Sequence, residues 1–173
     1  MIKNFKQIVF IFILATLFVQ CTDSEDIDFD KPDVKLFVQQ VKTNTYAAES
    51  AMGVVEVPLF SKKDIPQLLM YAKDNTPIRK YPANPVASIV PDYYRLSICL
   101  LWTIEKIRLE QYPSLIPELY KQTEADGQYI AVAELSDIME VWELYNKWWN
   151  KAENDSGIYQ TNPLAGSIYS WTK

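Results

Sequence analysis

The sharpest polar pair in the sequence is Glu105 and Arg108, three residues apart in a stretch that is otherwise apolar. A carboxylate in such surroundings could act as a general acid. The same spacing also allows an i,i+3 ion pair that organises a buried polar network. We favour the structural interpretation, because the sequence places no second carboxylate near Glu105. The catalytic interpretation leads to a carboxylate-dependent hydrolase, which needs two carboxyl groups roughly 5–10 Å apart in a cleft.

Aromatic residues near the C-terminus offer a second kind of chemistry, because large ring faces can stack on the apolar faces of sugars. Tyr169 and Trp171 are the candidate ligand-binding residues, and Trp148–Trp149 is a further aromatic pair. Both tryptophans of that pair fall on the apolar arc of a predicted helix, which favours packing in the core. The alternative of a glycan-binding protein therefore depends mainly on Tyr169 and Trp171.

The composition excludes several other chemistries. The chain has no histidine, which rules out Ser-His-Asp and Cys-His catalysis and ordinary zinc sites. It contains neither a glycine-rich phosphate loop nor a dinucleotide fingerprint. Asp26, Asp28 and Asp30 imitate the start of a calcium loop, but Lys31 and Phe37 occupy positions that require glycine and glutamate. We therefore predict that the protein has no metal and no cofactor.

The N-terminus has the three parts of an export signal. Lys3 and Lys6 precede an uncharged apolar run at 8–19, which is too short to cross a hydrocarbon core of roughly 30 Å. The run ends at Cys21. Residues 17–21, Leu-Phe-Val-Gln-Cys, resemble the lipobox of bacterial lipoproteins, with Phe and Gln replacing two of its usual residues.

This resemblance implies that residues 1–20 are a signal peptide and that Cys21 becomes lipidated. An uncleaved anchor and an ordinary secretory signal are the alternatives. Thr22 follows the cysteine, whereas lipoproteins retained in the inner membrane usually have Asp there. The resemblance therefore implies an outer-membrane lipoprotein that has the membrane as a partner. If Cys21 is acylated, Cys99 has no intramolecular disulfide partner and is predicted to be an inert helix residue.

Residues 21–31 are predicted to form an acidic, solvated tether. Five of the residues at 22–30 are acidic, and such a segment buries too little apolar surface to fold. The chain has 17 basic and 22 acidic residues; without the two leader lysines and these five acids, residues 31–173 carry 15 and 17. The folded part is therefore nearly neutral, and nucleic acid is excluded as a partner. Acidic residues after the lipidated cysteine also resemble a surface-export signal, which favours display on the cell surface.

The elements that position these residues are predicted to be helices, because apolar residues recur at helical spacing along most of the chain. The predicted helices cover residues 32–43, 62–73, 92–111, 115–123 and 130–152. The 92–111 segment is apolar almost all round, which is typical of a helix in the middle of a domain. We therefore predict an all-α fold, a single domain at 32–173 with about five helices around the 92–111 helix. Proline-rich residues 74–91 form an irregular loop, and the tail at 158–173 packs on the core.

A wider resemblance covers most of the chain. Its motifs are Asp64-Ile65-Pro66, Tyr81-Pro82-Ala83-Asn84-Pro85, Leu100-Leu101-Trp102-Thr103-Ile104-Glu105, Pro113-Ser114-Leu115 and Trp148-Trp149. These are similar to a family of short Gram-negative lipoproteins, a resemblance that implies a helical domain and brings no catalytic residues. The 64–74 segment with the 95–108 helix also resembles a HEAT-type helix pair. We expect a non-enzymatic, membrane-anchored module that binds or assembles with a protein partner, with an envelope glycan as the alternative ligand.

Overall fold

The computed structural model describes residues 26–82, 91–123 and 127–172. Its helices are α1 (Val34–Thr43), α2 (Ile65–Tyr71), α3 (Leu96–Leu109), α4 (Leu135–Ala152) and α5 (Ser156–Tyr159), with a 3-10 turn (Lys62–Asp64) before α2. Its strands are β1 (Pro77–Ile78), β2 (Tyr94–Arg95), β3 (Tyr120–Gln122), β4 (Tyr129–Ala131) and β5 (Tyr169–Ser170). The predicted signal peptide and Cys21 lie outside the described residues, as do residues 83–90 of the predicted loop.

Helix α3 lies at the centre of the core. Every residue from Leu96 to Glu105 is buried, and so is Arg108. Helices α2 and α4 both pack against α3, and α2 also contacts α1. A helix buried on nearly all sides needs apolar residues around its whole circumference, which is the pattern that this segment carries.

The predicted all-α fold class is wrong, because the chain forms two small antiparallel sheets beside its helices. Strands β1 and β2 pair with Pro77 opposite Arg95. The second sheet has the order β4-β3-β5, with Lys121 opposite both Ile130 and Tyr169. The architecture is therefore mixed α and β, and its C-terminal segment contributes an edge strand of the larger sheet.

The error is concentrated between residues 115 and 134. The predicted helix at 115–123 is instead a series of bends followed by β3, and the start of the predicted 130–152 helix is β4. Gly127 lies in the connection between the two strands with φ 68°, a conformation that breaks a helix and suits a turn. A short apolar run fits both the helical period and the strand period, so its spacing does not distinguish a helix from a strand. Pairing of β3 with β5 favours the strand in this region.

The remaining helices are shorter than predicted. The predicted 92–111 helix begins only at Leu96, because the residues before it form β2. The predicted 62–73 helix is a 3-10 turn and seven residues of α2, and the Ser61 N–H donates to the Asp64 carboxylate at 2.8 Å. Helices α2 and α3 contact each other, and the chain between them includes the short strands β1 and β2.

Both ends of the described chain pack on the core. Ile27 is buried, and the Leu59 N–H donates to the Phe29 carbonyl at 2.9 Å. Leu164 and Trp171 are buried at the other end. The ordered part of the chain therefore extends into the acidic segment. Within the described ranges, no helix has the length and apolar character needed to cross a membrane.

Candidate functional site

Glu105 and Arg108 form the centre of a buried polar network. The guanidinium holds the Glu105 carboxylate through both its Nη2 and its Nε, the latter at 3.1 Å. The phenol of Tyr145 on α4 donates to the same carboxylate at 2.9 Å, and the Trp171 indole donates to that phenol at 2.7 Å. Arg108 also donates to the Gln160 carbonyl at 3.1 Å. The network therefore joins α3, α4 and the C-terminal segment.

The electrostatics of this network favour a fixed ion pair. Burial opposes the charge on Arg108, but the hydrogen bonds and charge of Glu105 raise the pKa of the guanidinium. Burial and the Glu105 carboxylate raise the pKa of the Tyr145 phenol well above its usual value. The hydroxyl therefore stays protonated and donates a hydrogen bond to the carboxylate. The two charged side chains are only 3% and 8% exposed. The carboxylate proposed as a general acid is thus enclosed by its partners.

The aromatic residues expected to bind a ligand are buried. Tyr169 is 4% exposed and Trp171 is 6% exposed, and Trp148 and Trp149 are buried as well. The Tyr169 hydroxyl lies 2.9 Å from the Asp137 carboxylate and 2.8 Å from that of Glu140, which attaches β5 to α4. These rings present no open face on which a sugar could stack, and the glycan-binding alternative loses the surface on which it depended.

The other polar candidates have local roles. Cys99 is fully buried, and burial raises the pKa of its thiol well above its usual value, as expected for an unreactive cysteine. The Asp28 carboxylate accepts the backbone N–H groups of Asp30 and Lys31 at 2.9 and 3.1 Å, so it closes a turn. The described residues contain no group of three or more potential metal-ligating side chains.

A surface groove of about 300 Å³ separates the start of α3 from the hairpin of β3 and β4. One wall is formed by residues 91–95, and the other by residues 131–133, with Ile98 and Leu119 between them. Three charged residues line the groove: Asp92, Arg95 and Glu118. Glu118 accepts a hydrogen bond from the Tyr120 hydroxyl, and the Arg95 guanidinium lies 5.4 Å from the Tyr93 ring.

Within the part of the chain that the structure describes, strand β4 is an unpaired edge of its sheet, beside this groove. It is the first strand in the order β4-β3-β5, and all three of its side chains are exposed. Two flanking hydrogen bonds show which residue pairs of β3 and β4 are bonded. The Val132 N–H donates to the Leu119 carbonyl, and the Thr123 N–H donates to the Gln128 carbonyl. Antiparallel partners alternate between bonded and non-bonded pairs. The N–H and C=O groups of Tyr129 and Ala131 therefore point away from β3.

A second, smaller groove of about 190 Å³ lies between residues 57–60 and the C-terminal half of α3. Lys106 lines it, and burial lowers the pKa of this amine while the charge of Glu56 opposes the shift. The ammonium donates to the Val57 carbonyl at 3.2 Å and lies 4.5 Å from the centre of the Tyr112 ring. The amine is thus held between α3 and the extended segment that precedes α2.

The sequence prediction missed both walls of the larger groove. Residues 130–134 were assigned to a helix, and residues 92–95 to the start of another, so neither could be recognised as a strand or a strand end. The turn signal at Asp126-Gly127 and the β-forming residues Tyr129 and Ile130 were the available evidence. Asp126 itself lies outside the described residues.

Comparison with known proteins supports a single family. No curated protein and no solved structure matches the chain. One protein-family model, described as Domain of unknown function (DUF4943), matches residues 28–172. Since this match spans nearly all the residues that form the core and the groove, the chain belongs to the DUF4943 family.

Proposed function

We propose that the protein is a non-enzymatic, protein-binding lipoprotein of a Gram-negative outer membrane, with the groove beside β4 as its binding surface. The observation that carries the protein-binding part is the juxtaposition of an open strand edge and a groove. Tyr129 and Ala131 turn outward backbone groups that pair with no other described strand, and Ala131 also lines the groove. A strand edge left open beside a concave surface is a template for another chain.

The enzymatic alternative receives less support from the same geometry. Glu105 is closed in by Arg108 and Tyr145 and lines neither groove. A general acid must reach the bond that it protonates. The network therefore stabilises the fold that holds the groove open, and we assign it a structural role.

The anchoring part of the proposal rests on the lipobox-like residues before Cys21 and on a short connection to the domain. Ile27 is buried, so six residue steps separate it from Cys21, a span of at most about 20 Å. A diacylated or triacylated cysteine would hold the domain durably, since each buried CH₂ contributes about 0.8 kcal/mol. The domain would therefore work within a short distance of the membrane surface.

The anchor is tested by metabolic labelling with palmitate in the native host. We expect label on the wild-type protein and none on the Cys21→Ser variant, which should leave the membrane fraction. A Cys99→Ser variant is the matched control and should keep its label. Labelling that persists in Cys21→Ser would refute lipidation at this residue. Protease accessibility of intact cells then separates surface display from a periplasm-facing domain.

The binding surface is tested by photo-crosslinking in intact cells with benzoylphenylalanine at two positions. Tyr93 lines the groove and is 54% exposed, whereas Met70 on α2 is 56% exposed and lies outside the groove. We expect a discrete protein adduct from position 93 and none from position 70. Equal adducts at both positions, or none at position 93, would contradict the groove as a protein-binding surface.

A further inference from the structure

We infer that the partner enters the groove as an extended peptide that adds a strand to the free edge of β4; this inference rests on the protein-binding function proposed above. The larger sheet would then have four strands, with the partner beside β4, β3 and β5. The occupant is identified by the chemistry of the edge, since a row of alternating backbone donors and acceptors is complementary to another extended backbone.

The hydrogen bonds available to such a strand follow from the register of the hairpin. Lys121 pairs with Ile130 in the bonded position, whereas Tyr120 with Ala131 and Gln122 with Tyr129 occupy the non-bonded positions. Tyr129 and Ala131 therefore each offer one outward N–H and one outward C=O. Three residues of β4 span about 10 Å, so a peptide of four or five residues can use all four groups.

The groove supplies the side-chain selectivity that a bare edge lacks. Its interior includes Ile98, Leu119 and Val132, which are buried apolar residues. Ala131 and Ala133 leave room at the wall that carries the edge. Alternate side chains of an added strand point to one face. One residue in two of the peptide therefore faces this apolar interior, and small or medium apolar side chains suit a volume of about 300 Å³.

Charge complementarity adds a second requirement. Among the described residues, Arg95 has no carboxylate partner, although its side chain lines the groove and is only partly exposed. Glu118 is bonded to the Tyr120 hydroxyl, and Asp92 lies exposed at the rim. Neither of these acids has a basic partner among the described residues, so Arg95 is the single positive charge that lines the groove. We expect the peptide to carry Asp or Glu at the position that reaches Arg95.

The test begins with a displayed library of random nine-residue peptides, panned against the mature chain in detergent. Binding of the selected peptide is then measured by fluorescence anisotropy. Ala131→Pro removes the outward N–H without removing a bond to β3, and proline is tolerated at such an edge. Ala131→Ser keeps the N–H and is the matched control. We expect at least about a tenfold weaker affinity for the proline variant and less than a twofold change for serine.

Backbone methylation of the peptide provides the second readout. Peptides N-methylated at successive positions should alternate between a loss of about tenfold or more and little effect, since alternate N–H groups face β4. Enrichment of acidic residues should disappear when the library is panned against Arg95→Gln.

Two results would overturn strand addition. One is that no selected peptide binds Ala131→Pro more weakly than it binds the wild type. The other is that methylation at neighbouring peptide positions weakens binding equally. Circular dichroism and the melting temperature of both Ala131 variants establish that they fold. A groove-specific crosslink at position 93 together with either result would leave protein binding intact and refute only this mode of binding. Loss of both the crosslink and the peptide would refute the two proposals together.

Discussion

Glu105 and three other side chains form one hydrogen-bonded unit at the centre of the core. Its carboxylate accepts from Arg108 and Tyr145, and Tyr145 in turn accepts from Trp171. Every buried side-chain polar atom in the described residues has a partner. Such a network costs little when it is complete, but removing one member leaves a buried charge without compensation.

We expect Glu105→Ala to lower the free energy of unfolding by about 3–5 kcal/mol, because it leaves the Arg108 guanidinium buried and unpaired. Urea denaturation followed by tryptophan fluorescence measures the change. Glu143→Ala removes one partner of the exposed Glu143–Lys147 pair, at 3.5 Å, and should cost less than about 0.5 kcal/mol. A similar small loss in both variants would contradict the role assigned to Glu105.

A double variant separates the charge from the space it occupies. Glu105→Leu with Arg108→Met removes both charges and keeps similar volumes, so it should recover much of the stability lost in Glu105→Ala. If the double variant is as unstable as the single one, the hydrogen bonds to Tyr145 and Gln160 contribute more than the ion pair.

Asp74 gives the protein a predictable response to acid. Its carboxylate lies 2.6 Å from the Lys42 ammonium, and hydrogen bonds from Lys42 and Thr76 lower its pKa. A carboxyl group with a depressed folded-state pKa stabilises the fold above its unfolded value of about 3.9, and this contribution is lost as the pH falls through the folded value. We therefore expect Asp74→Asn to lose less stability than the wild type between about pH 5 and pH 3. Lys42→Gln should likewise reduce the loss of unfolding free energy at acid pH, as measured by urea denaturation at each pH. Variants whose unfolding free energy falls with pH in parallel with that of the wild type would contradict this assignment.

At the scale of elements, the hairpin of β3 and β4 decides both the fold class and the binding surface. Its strands are three residues each, and a two-stranded hairpin of this size is marginal alone. Pairing with β5 and the bond between the Lys121 ammonium and Asp137 at 2.7 Å attach it to the rest of the protein. The hairpin therefore depends on tertiary contacts for its stability, although the connection between its strands also requires Gly127.

Gly127→Ala should destabilise the protein by about 1–2 kcal/mol, because φ is 68° at this position and a Cβ disfavours the left-handed conformation. Gly127→Asn is the control, since Asn tolerates this conformation better, and it should cost clearly less. Thermal unfolding of the three proteins checks the order. Equal losses for Ala and Asn would indicate that contact with Gln122, 3.4 Å from the added Cβ, outweighs the backbone conformation.

At the scale of the whole molecule, the C-terminal segment closes the core. Trp171 donates to the Tyr145 phenol, Tyr169 bonds to carboxylates on α4, and Arg108 bonds to the Gln160 carbonyl. These contacts join residues 160–171 to the central helix α3 and to α4. Residues 160–171 thus complete the network around Glu105 and the sheet that holds β4.

Deletion of residues 167–173 should abolish cooperative unfolding, because it removes β5 with the buried side chains of Tyr169 and Trp171 and exposes the network around Glu105. A chain ending at Thr172 retains these residues and should unfold like the full chain. Near-ultraviolet circular dichroism and urea denaturation compare the two. A cooperative transition with unchanged midpoint in the deletion variant would contradict this role of the C-terminal segment.

The spacing of apolar residues along the chain determined the two long helices of this protein. The apolar circumference of residues 96–105 is sufficient to predict a central helix, and the arc from Ile138 to Trp149 predicts the buried face of α4. The position of Glu105 and Arg108 in that central segment also predicts that they can meet, since residues three apart share a helix face. These inferences hold because helical periodicity depends on neighbours within two turns.

Tertiary structure decided what local pattern could not. Ile130 and Leu135 have apolar side chains that fit a helical arc, yet Ile130 pairs with β3 and the helix begins only at Leu135. Tyr169 and Trp171 have the chemistry of a sugar site, yet the sheet and the Glu105 network bury them. The sequence by itself therefore determined the central helix, its ion pair and the absence of histidine chemistry. The strands, the open edge of β4 and the groove were decided by contacts between distant residues, because strand pairing and burial depend on partners that sequence spacing does not specify.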